Sequence, residues 1–305
     1  MEYKDKLEIS SEYKFGIELE FTNINIAYLY TQIKDKIPLQ FTIGHNNETF
    51  DFNNYWCLDQ DGSVTKVEHK NESNRYMGGE LSSKIYTDTY ETWNEIKTVC
   101  NILKENNCIA DEHCAFHIHI SNNKIEKNKK FYEGLYKLIA LYEDDLKLFY
   151  MGDKYKIRKH IDKYAIPIKN KIVKKLDKID FNNYESIYEY LLEPEFYTYA
   201  SRNGIHMYPD KNEIEIRYPN GTINPNIVQN NTNFSLKLFD ALLNNKIDIE
   251  KLDYSLKRQK DDINLYGYSR NFHPIAFNEL VDTISKDVYD KRNFKSQYKK
   301  VLETK

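Results

Sequence analysis

Acidic and imidazole side chains recur at every second position in four short segments of the chain. They are Glu18 and Glu20 in KFGIELEF, Glu80 in MGGELSS, His117 and His119 in DEHCAFHIHIS (Asp111 to Ser121), and Glu213, Glu215 and Arg217 in EIEIRYPNGT. Successive side chains of a strand point to opposite faces, so each segment predicts a strand with one polar and one apolar face. Carboxylates two positions apart lie about 6.6 Å from each other on such a face, and they repel unless water or a cation screens them. On an exposed edge strand these groups form a solvated surface, whereas together in a cleft they are candidate ligands of a metal ion.

The kind of metal depends on which donor atoms share a face. Cys108, Cys114, His117 and His119 are nitrogen and sulfur donors of the sort that zinc prefers. Alternation, however, places Cys114 on the opposite face from both histidines, and the chain has no closely spaced cysteine pair. Imidazole combined with carboxylates favours a harder cation, so we expect magnesium or manganese.

Two further residues could act at the same site. Asp61 lies in DQDGSV on the same side of a short strand as Asp59, although Asp-Gly is first of all a turn signal. Arg158 lies in RKHIDKYAIP, within a basic segment from Gly152 to Lys178. That segment is either a solvated surface or a loop that supplies cations to phosphate or carboxylate groups. Both interpretations stay open for Arg158.

Amphipathic helices are predicted between the strands. The clearest span residues 88–107, 128–150 and 224–243, and the last begins with Asn224 and Pro225, which are favourable as N-cap and first helical residue. If the polar strands share one antiparallel sheet, helices cover its apolar face and the other face is charged. The sequence therefore predicts an α+β protein.

The chain shows no internal repeat and no Gly/Ser-rich linker. We therefore expect one domain over residues 1–305, within which residues 246–305 could form a C-terminal helical appendage.

Composition argues against several classes of partner. The chain has 305 residues and a net charge of -3, from 44 basic and 47 acidic residues, so no global field attracts nucleic acid. No segment approaches the roughly 18 apolar residues of a membrane span, and we expect a soluble protein. The four cysteines form no CxxC pair, and the charged segment MEYKDKLEIS is unlike a signal peptide. These features favour a reducing cytoplasm.

Taken in order, the motifs resemble a known group of enzymes. EIEIRYPNGTINPNIV is similar to the Glu-x-Arg strand and Asn-Pro helix start of the glutamine-synthetase-like carboxylate-amine ligases, and HIHIS resembles their His-x-His strand. IELEF, DGSV, GGELSS and the order of all these motifs more closely resemble the amidoligase family, often found in phage and mobile-element genomes. The resemblance extends from Phe15 to about Leu243. One departure is Ala115 and Phe116, where many relatives have Gly before His-x-His.

The resemblance implies a fold, cofactors and individual roles. The fold is an antiparallel sheet curved into a funnel, or half-barrel, with helices on its outer face. The cofactors are ATP and more than one divalent metal, Mg²⁺ or Mn²⁺, between the phosphates and the acidic strands. By position, the resemblance assigns metal binding to Glu18, Glu20, His117 and Glu215. It assigns a nucleotide-phosphate contact to His119 and a clamp on the transferred phosphoryl group to Arg217. Glu80 would lie near the metals or the incoming amine, and Arg158 and Asn203 would contact the substrate.

An ATP-dependent carboxylate-amine ligase is consistent with these groups. A carboxylate is a poor electrophile, so such an enzyme first makes an acyl phosphate, and metals and an arginine neutralise the charge of the transition state. The attacking amine then needs a base, for which Glu80 and Asp61 are the candidates. Two alternatives remain, a divalent-metal-dependent hydrolase and a catalytically inactive relative that binds nucleotide. Neither the carboxylate nor the amine substrate is specified by these motifs.

Overall fold

A single seven-stranded sheet organises the protein. The computed structural model describes residues 3–42, 50–65, 77–154, 156–192, 202–266 and 272–303. The strands are β1 Lys14–Asn25, β2 Leu39–Phe41, β3 Trp56–Asp59, β4 Met77–Ser82, β5 Phe116–Ser121, β6 Ile205–Tyr208 and β7 Glu213–Ile216. They lie in the order β2-β3-β4-β1-β5-β7-β6. With its many helices, this is the α+β architecture expected from the sequence.

The sheet differs from the expected antiparallel funnel in two respects. Strands β2 and β3 pair in parallel, whereas the other neighbours are antiparallel, so the sheet is mixed. The connection from Phe41 to Trp56 is long enough for the crossover that a parallel pair requires. Over the described residues the sheet is neither closed nor strongly curled, so the expected half-barrel is not seen there.

Eleven α-helices are assigned among the described residues. They are α1 Ile26–Ile33, α2 Gly62–Thr65, α3 Tyr90–Glu105, α4 Lys129–Tyr150, α5 Ile161–Tyr164, α6 Lys169–Lys175, α7 Tyr184–Ile187, α8 Pro225–Leu243, α9 Ile249–Tyr266, α10 Pro274–Ile284 and α11 Val288–Leu302. A π-helical turn, Tyr188–Leu192, continues α7.

Side-chain caps explain where the main helices begin. Asn224 accepts a hydrogen bond from the Asn226 N–H, with Pro225 as the first residue of α8, so this predicted start is confirmed. Asn128 caps α4 in the same way, by accepting from the Phe131 N–H.

Two predicted boundaries were wrong. Strand β5 begins at Phe116 and not at Asp111, because Asp111 starts a turn in which its backbone carbonyl accepts from the Cys114 N–H and its side chain accepts from the His113 N–H. The Asp-Gly turn expected at DGSV is also replaced, by the start of a short helix. Asp61 precedes the short helix α2, where its carboxylate accepts from the backbone N–H and the hydroxyl of Ser63.

The apolar face of the sheet packs against helices. Phe15 of β1 stacks on Trp93 of α3 with ring centroids 5.3 Å apart, and Tyr136 of α4 donates to the Met207 sulfur of β6. Leu19 and Phe21 of β1 are fully buried. Burial of such side chains contributes about 1.5–3 kcal/mol each, which fixes the strand register because a slip by one residue would turn them to the opposite face.

The C-terminal helices pack on the same core. Phe277 of α10 stacks on Phe234 of α8 and on Tyr298 of α11, and Phe294 of α11 meets Phe149 of α4 edge-on. The division of residues 1–305 into domains stays a prediction. Among the described helices, none has the length and apolarity needed to cross a membrane.

Candidate active site

The register of the sheet aligns the polar side chains of four strands. Glu18 lies across from His117 on β5, and Glu20 lies across from Glu80 on β4. His119 lies across from Glu215 on β7. The sequence prediction that these groups share one face is therefore met by strand pairing.

Direct contacts connect the carboxylates to the two histidines. Glu18 Oε2 is 2.6 Å from His117 Nδ1, and its Oε1 is 3.1 Å from His119 Nε2. The other ring nitrogen of His119, Nδ1, is 2.9 Å from Glu213 Oε1. Glu213 thus holds the orientation of His119.

Two groups of three side chains could each hold a metal ion. One consists of Glu18, His117 and Glu215, and the other of Glu20, Glu80 and His117, and within each group one donor atom per residue lies within 4.8 Å of the others. His117 belongs to both groups. Its Nδ1 lies 3.6 Å from Glu215 Oε1, and its Nε2 lies 3.9 Å from Glu20 Oε1.

The donor set suits magnesium or manganese. The buried Nε2 of His117 has no hydrogen-bond partner among the described residues, although buried polar atoms are usually paired. Five carboxylate and imidazole groups converge without a cysteine, which disfavours zinc and favours an oxygen-preferring cation. The residues therefore fit the metals that the resemblance implies.

The pKa shifts differ among the polar side chains that the sheet aligns. Burial and the charge of Asp61 raise the pKa of Glu20 to about 8, and burial with the charges of Glu18 and Glu20 raises the pKa of Glu80 well above its usual value. Burial opposes ionisation of Glu18 as well, but the charge of His119 and hydrogen bonds from both histidines hold its pKa well below the usual value. Burial lowers the pKa of His117, which favours the neutral imidazole that can bind a metal.

Arg217 follows β7 and is fixed by three contacts. Its Nη1 donates to Glu215 Oε1, its Nε donates to the Tyr164 carbonyl at 3.1 Å, and its backbone N–H donates to the Gly204 carbonyl at 2.8 Å. Although burial opposes the charge, Glu215 and Glu18 raise the pKa of the Arg217 guanidinium. Glu215 also accepts a hydrogen bond from the Tyr208 hydroxyl at 3.1 Å.

Arg158 is buried, with 4% of its surface exposed. Its Nη2 donates to the Arg217 carbonyl at 3.1 Å, but its Nε has no partner within the described ranges. Its backbone N–H donates to Asn220 Oδ1 at 3.0 Å, and Asn220 Nδ2 donates to the Lys156 carbonyl. Asn220 therefore holds the Arg158 loop against the turn that follows β7. Of the two interpretations of Arg158, the solvated surface is excluded.

Gly221 makes this turn possible. Its N–H donates to the Cys114 carbonyl at 2.8 Å, and a Cβ at Gly221 would lie 2.5 Å from the Cys114 Cβ. A side chain at position 221 would push the turn away from the start of β5.

A cavity of about 510 Å³ opens over Glu18, Glu20 and Glu80. Its lining combines carboxylates with arginines: Glu18, Glu20, Asp59, Asp61, Glu80, Arg158, Arg202 and Arg217. The structure thus brings Asp61 and Arg158 to the same space as the candidate metal ligands. Asn203 is not among the described lining residues, and its backbone forms a bridge with Ile166.

Arg202 is a site residue that sequence reasoning missed. Its guanidinium lies 5.3 Å from the centre of the Tyr164 ring, which also lines the cavity. In the sequence, Arg202 directly precedes Asn203, which the resemblance assigns to substrate contact. No periodic pattern marks either residue as part of a site.

The fold and the site define an α+β protein with a carboxylate and histidine cluster on one face of an open sheet, bordered by arginines. Residues 11–239 match the family described as "Putative amidoligase enzyme". Because the match covers most of the chain, the protein belongs to this family, as the resemblance of its motifs indicated. A comparison with curated proteins gave no match.

Proposed function

We propose that the protein is an ATP-dependent carboxylate-amine ligase that forms an amide or isopeptide bond through an acyl phosphate. Membership of the amidoligase family supports amide-bond formation. The observation that carries the proposal further is the position of His117, whose imidazole belongs to both candidate ligand groups. Its contact with Glu215, which accepts a hydrogen bond from Arg217, places the arginine beside this cluster. Such a cluster suits chemistry in which several anions must come together.

Divalent cations held by Glu18, His117 and Glu215 and by Glu20, Glu80 and His117 would supply the positive charge that brings ATP and a carboxylate together. The side chains of the chain itself set the geometry. Glu18 bonds both histidines, and Glu213 orients His119, so the imidazole that we assign to the nucleotide phosphates is held in one position.

Arg217 is assigned to the phosphoryl group that is transferred. A guanidinium presents a planar fork that matches two phosphate oxygens, and an ammonium group does not. The Tyr164 carbonyl and Glu215 hold this fork in place at the edge of the larger cavity. Preorganised charge of this kind stabilises a transition state because no reorganisation is needed during the reaction.

The attacking amine must lose a proton, and Glu80 is the better acceptor of the two candidates. Both carboxylate oxygens of Asp61 accept hydrogen bonds from Ser63, at 2.6 and 2.7 Å. Only one oxygen of Glu80 is bonded within the described part of the chain, by the Ser82 hydroxyl at 2.8 Å. We assign Asp61 to contact with the cationic amine and Arg158, Arg202 and Asn203 to substrate binding.

The test is release of ADP from ATP and Mg²⁺ in the presence of panels of amino acids, peptides and amines. ADP release that requires both a carboxylate and an amine, with a matching amide in the products, supports the ligase. Turnover of an amide with metal and without ATP would assign the protein to hydrolases instead. Nucleotide binding without ADP release would assign it to inactive relatives.

A variant pair connects activity with the site. Glu215→Ala is expected to abolish amide formation with the circular dichroism spectrum unchanged, because it removes a ligand candidate and the partner of Arg217. Glu12→Ala, which removes an exposed ion pair with Lys124, serves as the control and should retain wild-type activity. Full activity of Glu215→Ala would overturn the assignment.

A further inference from the structure

Tyr218 directly follows Arg217 in the chain, but the two side chains lie in different surroundings. The arginine lines the larger cavity, whereas the tyrosine belongs to the hydrophobic core and has 1% of its surface exposed. The tyrosine hydroxyl donates a hydrogen bond to Glu143, a buried carboxylate of α4. The residue next to the arginine is therefore anchored in the core, away from the cavity.

Glu143 connects Tyr218 to the segment that enters α6. Its Oε1 accepts from the Ile168 N–H at 2.6 Å as well as from the tyrosine hydroxyl, and its Oε2 accepts from the Lys169 N–H at 3.0 Å. Both carboxylate oxygens are thus bonded to groups distant from each other in the chain. The hydroxyl completes a buried junction between this segment and the end of β7.

Backbone hydrogen bonds connect the same segment to the arginines of the cavity. The Ile166 N–H donates to the Arg202 carbonyl at 2.7 Å, and the Gly204 N–H donates to the Ile166 carbonyl at 2.8 Å. The Gly204 carbonyl in turn accepts from the Arg217 N–H at 2.8 Å. The Tyr164 carbonyl accepts from Nε of that arginine at 3.1 Å. The position of the guanidinium therefore depends on how these backbone segments are held.

The ring of Tyr218 lies directly against Gly204. A Cβ at position 204 would lie 1.8 Å from Cε1 and 2.3 Å from Cζ of the ring, far closer than atoms can approach. Only glycine lets the backbone come so near to the ring. Tyr218 thus contacts the backbone next to Arg217 through its ring, and the segment that enters α6 through its hydroxyl and Glu143.

We propose that Tyr218 is a positioning residue, whose ring and hydroxyl fix, from the core side, the backbone that holds the Arg217 guanidinium for phosphoryl transfer. The inference rests on the proposed ligase function and adds to it a residue that touches no substrate. A guanidinium stabilises a transition state best when it is already held where the charge develops. Misplacement of such a group by about 1 Å can lower a rate by on the order of 100-fold.

Tyr298 of α11 provides a matched control. It is also buried, and its hydroxyl donates to Asp145, a buried carboxylate of the same helix α4. It is not among the described lining residues of the larger cavity, nor of a second cavity of about 290 Å³ that shares Glu18 with it. Tyr218→Phe and Tyr298→Phe each remove one buried hydroxyl from one carboxylate. Both should therefore lower the free energy of unfolding to a similar extent.

The first measurement combines steady-state kinetics of ADP release with urea unfolding. Tyr218→Phe is expected to lower kcat by about tenfold or more and to leave the KM for ATP unchanged, because Arg217 acts on the phosphoryl group in the transition state. Tyr298→Phe should keep the wild-type kcat despite its similar loss of stability. A purely structural role of Tyr218 would give the two variants the same kinetics.

Crystal structures of the variants supply a readout that needs no activity. In Tyr218→Phe the distance from Arg217 Nε to the Tyr164 carbonyl should lengthen from 3.1 Å to beyond about 3.5 Å. Gly204→Ala acts on the same ring from its other side and should lengthen this distance as well, since its Cβ must displace the ring. Tyr298→Phe should keep the contact as it is in the wild type.

An unchanged Arg217 contact in either Tyr218→Phe or Gly204→Ala would overturn the inference. A wild-type kcat in Tyr218→Phe, or an equal loss of kcat in Tyr298→Phe, would also overturn it. A wild type that forms no amide would overturn the ligase proposal, whereas the distances in the crystal structures would still decide whether Tyr218 positions Arg217.

Discussion

His117 lies directly across the β1–β5 ladder from Glu18, and the two side chains meet with Nδ1 2.6 Å from Oε2. The opposite nitrogen of the same ring lies on the side of Glu20 and has no hydrogen-bond partner in the part of the chain described. One imidazole is therefore common to both candidate ligand groups, and its loss should affect both.

The first prediction concerns metal affinity. His117→Ala is expected to weaken Mn²⁺ binding in both groups by at least about 100-fold, the upper end of the loss seen when a contact that supports a ligand is removed. Glu80 belongs to one group only, so Glu80→Gln should weaken only one step of metal binding. Calorimetric titration with Mn²⁺ separates the two cases. Equal effects of the two variants would contradict a shared imidazole.

The second prediction concerns Asn220, which holds the backbone of Arg158. Asn220→Ala should raise the KM for the carboxylate substrate while leaving the KM for ATP unchanged, because it releases only the Arg158 loop. Arg158→Ala should do the same. Since the two residues act through one contact, the double variant should be no worse than Arg158→Ala alone. Additive effects in this cycle would show that Asn220 acts independently of Arg158.

A third prediction follows from Glu143, a buried carboxylate of α4. It accepts hydrogen bonds from the Ile168 and Lys169 N–H groups and from the Tyr218 hydroxyl, so it connects the basic loop to the residue after Arg217. Burial outweighs these bonds and raises the pKa of Glu143 above its usual value.

The sign of the pH effect follows from this shift. Between the unfolded and the raised folded pKa, the folded protein holds more protons on Glu143, so the free energy of unfolding falls as pH rises. The wild type should lose stability relative to Glu143→Gln on going upward from about pH 4.3, measured by urea unfolding. A wild type that keeps or gains stability relative to Glu143→Gln as pH rises would contradict this assignment.

The fourth prediction concerns the packing of the C-terminal helices. Asp290 of α11 is buried, and it lies 2.6 Å from the Lys4 ammonium, 3.0 Å from the Lys237 ammonium and 2.9 Å from Asn233 Nδ2. Asp290→Ala removes an acceptor from each of these donors, of which Lys4 keeps its ion pair with Asp287 at 3.0 Å, and should destabilise the protein by about 2–4 kcal/mol.

Asp282 provides the matched control for this substitution. It pairs with Lys295 but is about half exposed, so Asp282→Ala should cost less than about 1 kcal/mol. Urea unfolding of the two variants gives the comparison. Similar losses in both would mean that Asp290 contributes no more than a surface ion pair.

The sequence alone allows the polar row to be predicted because strand alternation is a local property. Spacing places Glu18 and Glu20 on one face of their strand and His117 and His119 on one face of theirs, although only strand pairing brings the two faces together. The Asn224 cap likewise depends on adjacent residues alone. Such signals need no knowledge of which strands pair.

The remaining features depend on contacts between distant segments. The parallel pairing of β2 with β3 results from long-range packing, which no short window of sequence contains. Arg202 and Asn220 enter the site through loops that the turn after β7 and the Ile166 bridge bring together. Their residue types alone do not distinguish them from the many other arginines and asparagines of loops.

The most direct test of the ligase proposal is transfer of oxygen from the carboxylate substrate to phosphate. With the carboxylate labelled with ¹⁸O, ATP and Mg²⁺, formation of an acyl phosphate followed by amine attack predicts one ¹⁸O atom in each phosphate released, in equal amount to the amide. Released phosphate that carries no ¹⁸O from the substrate would contradict the account.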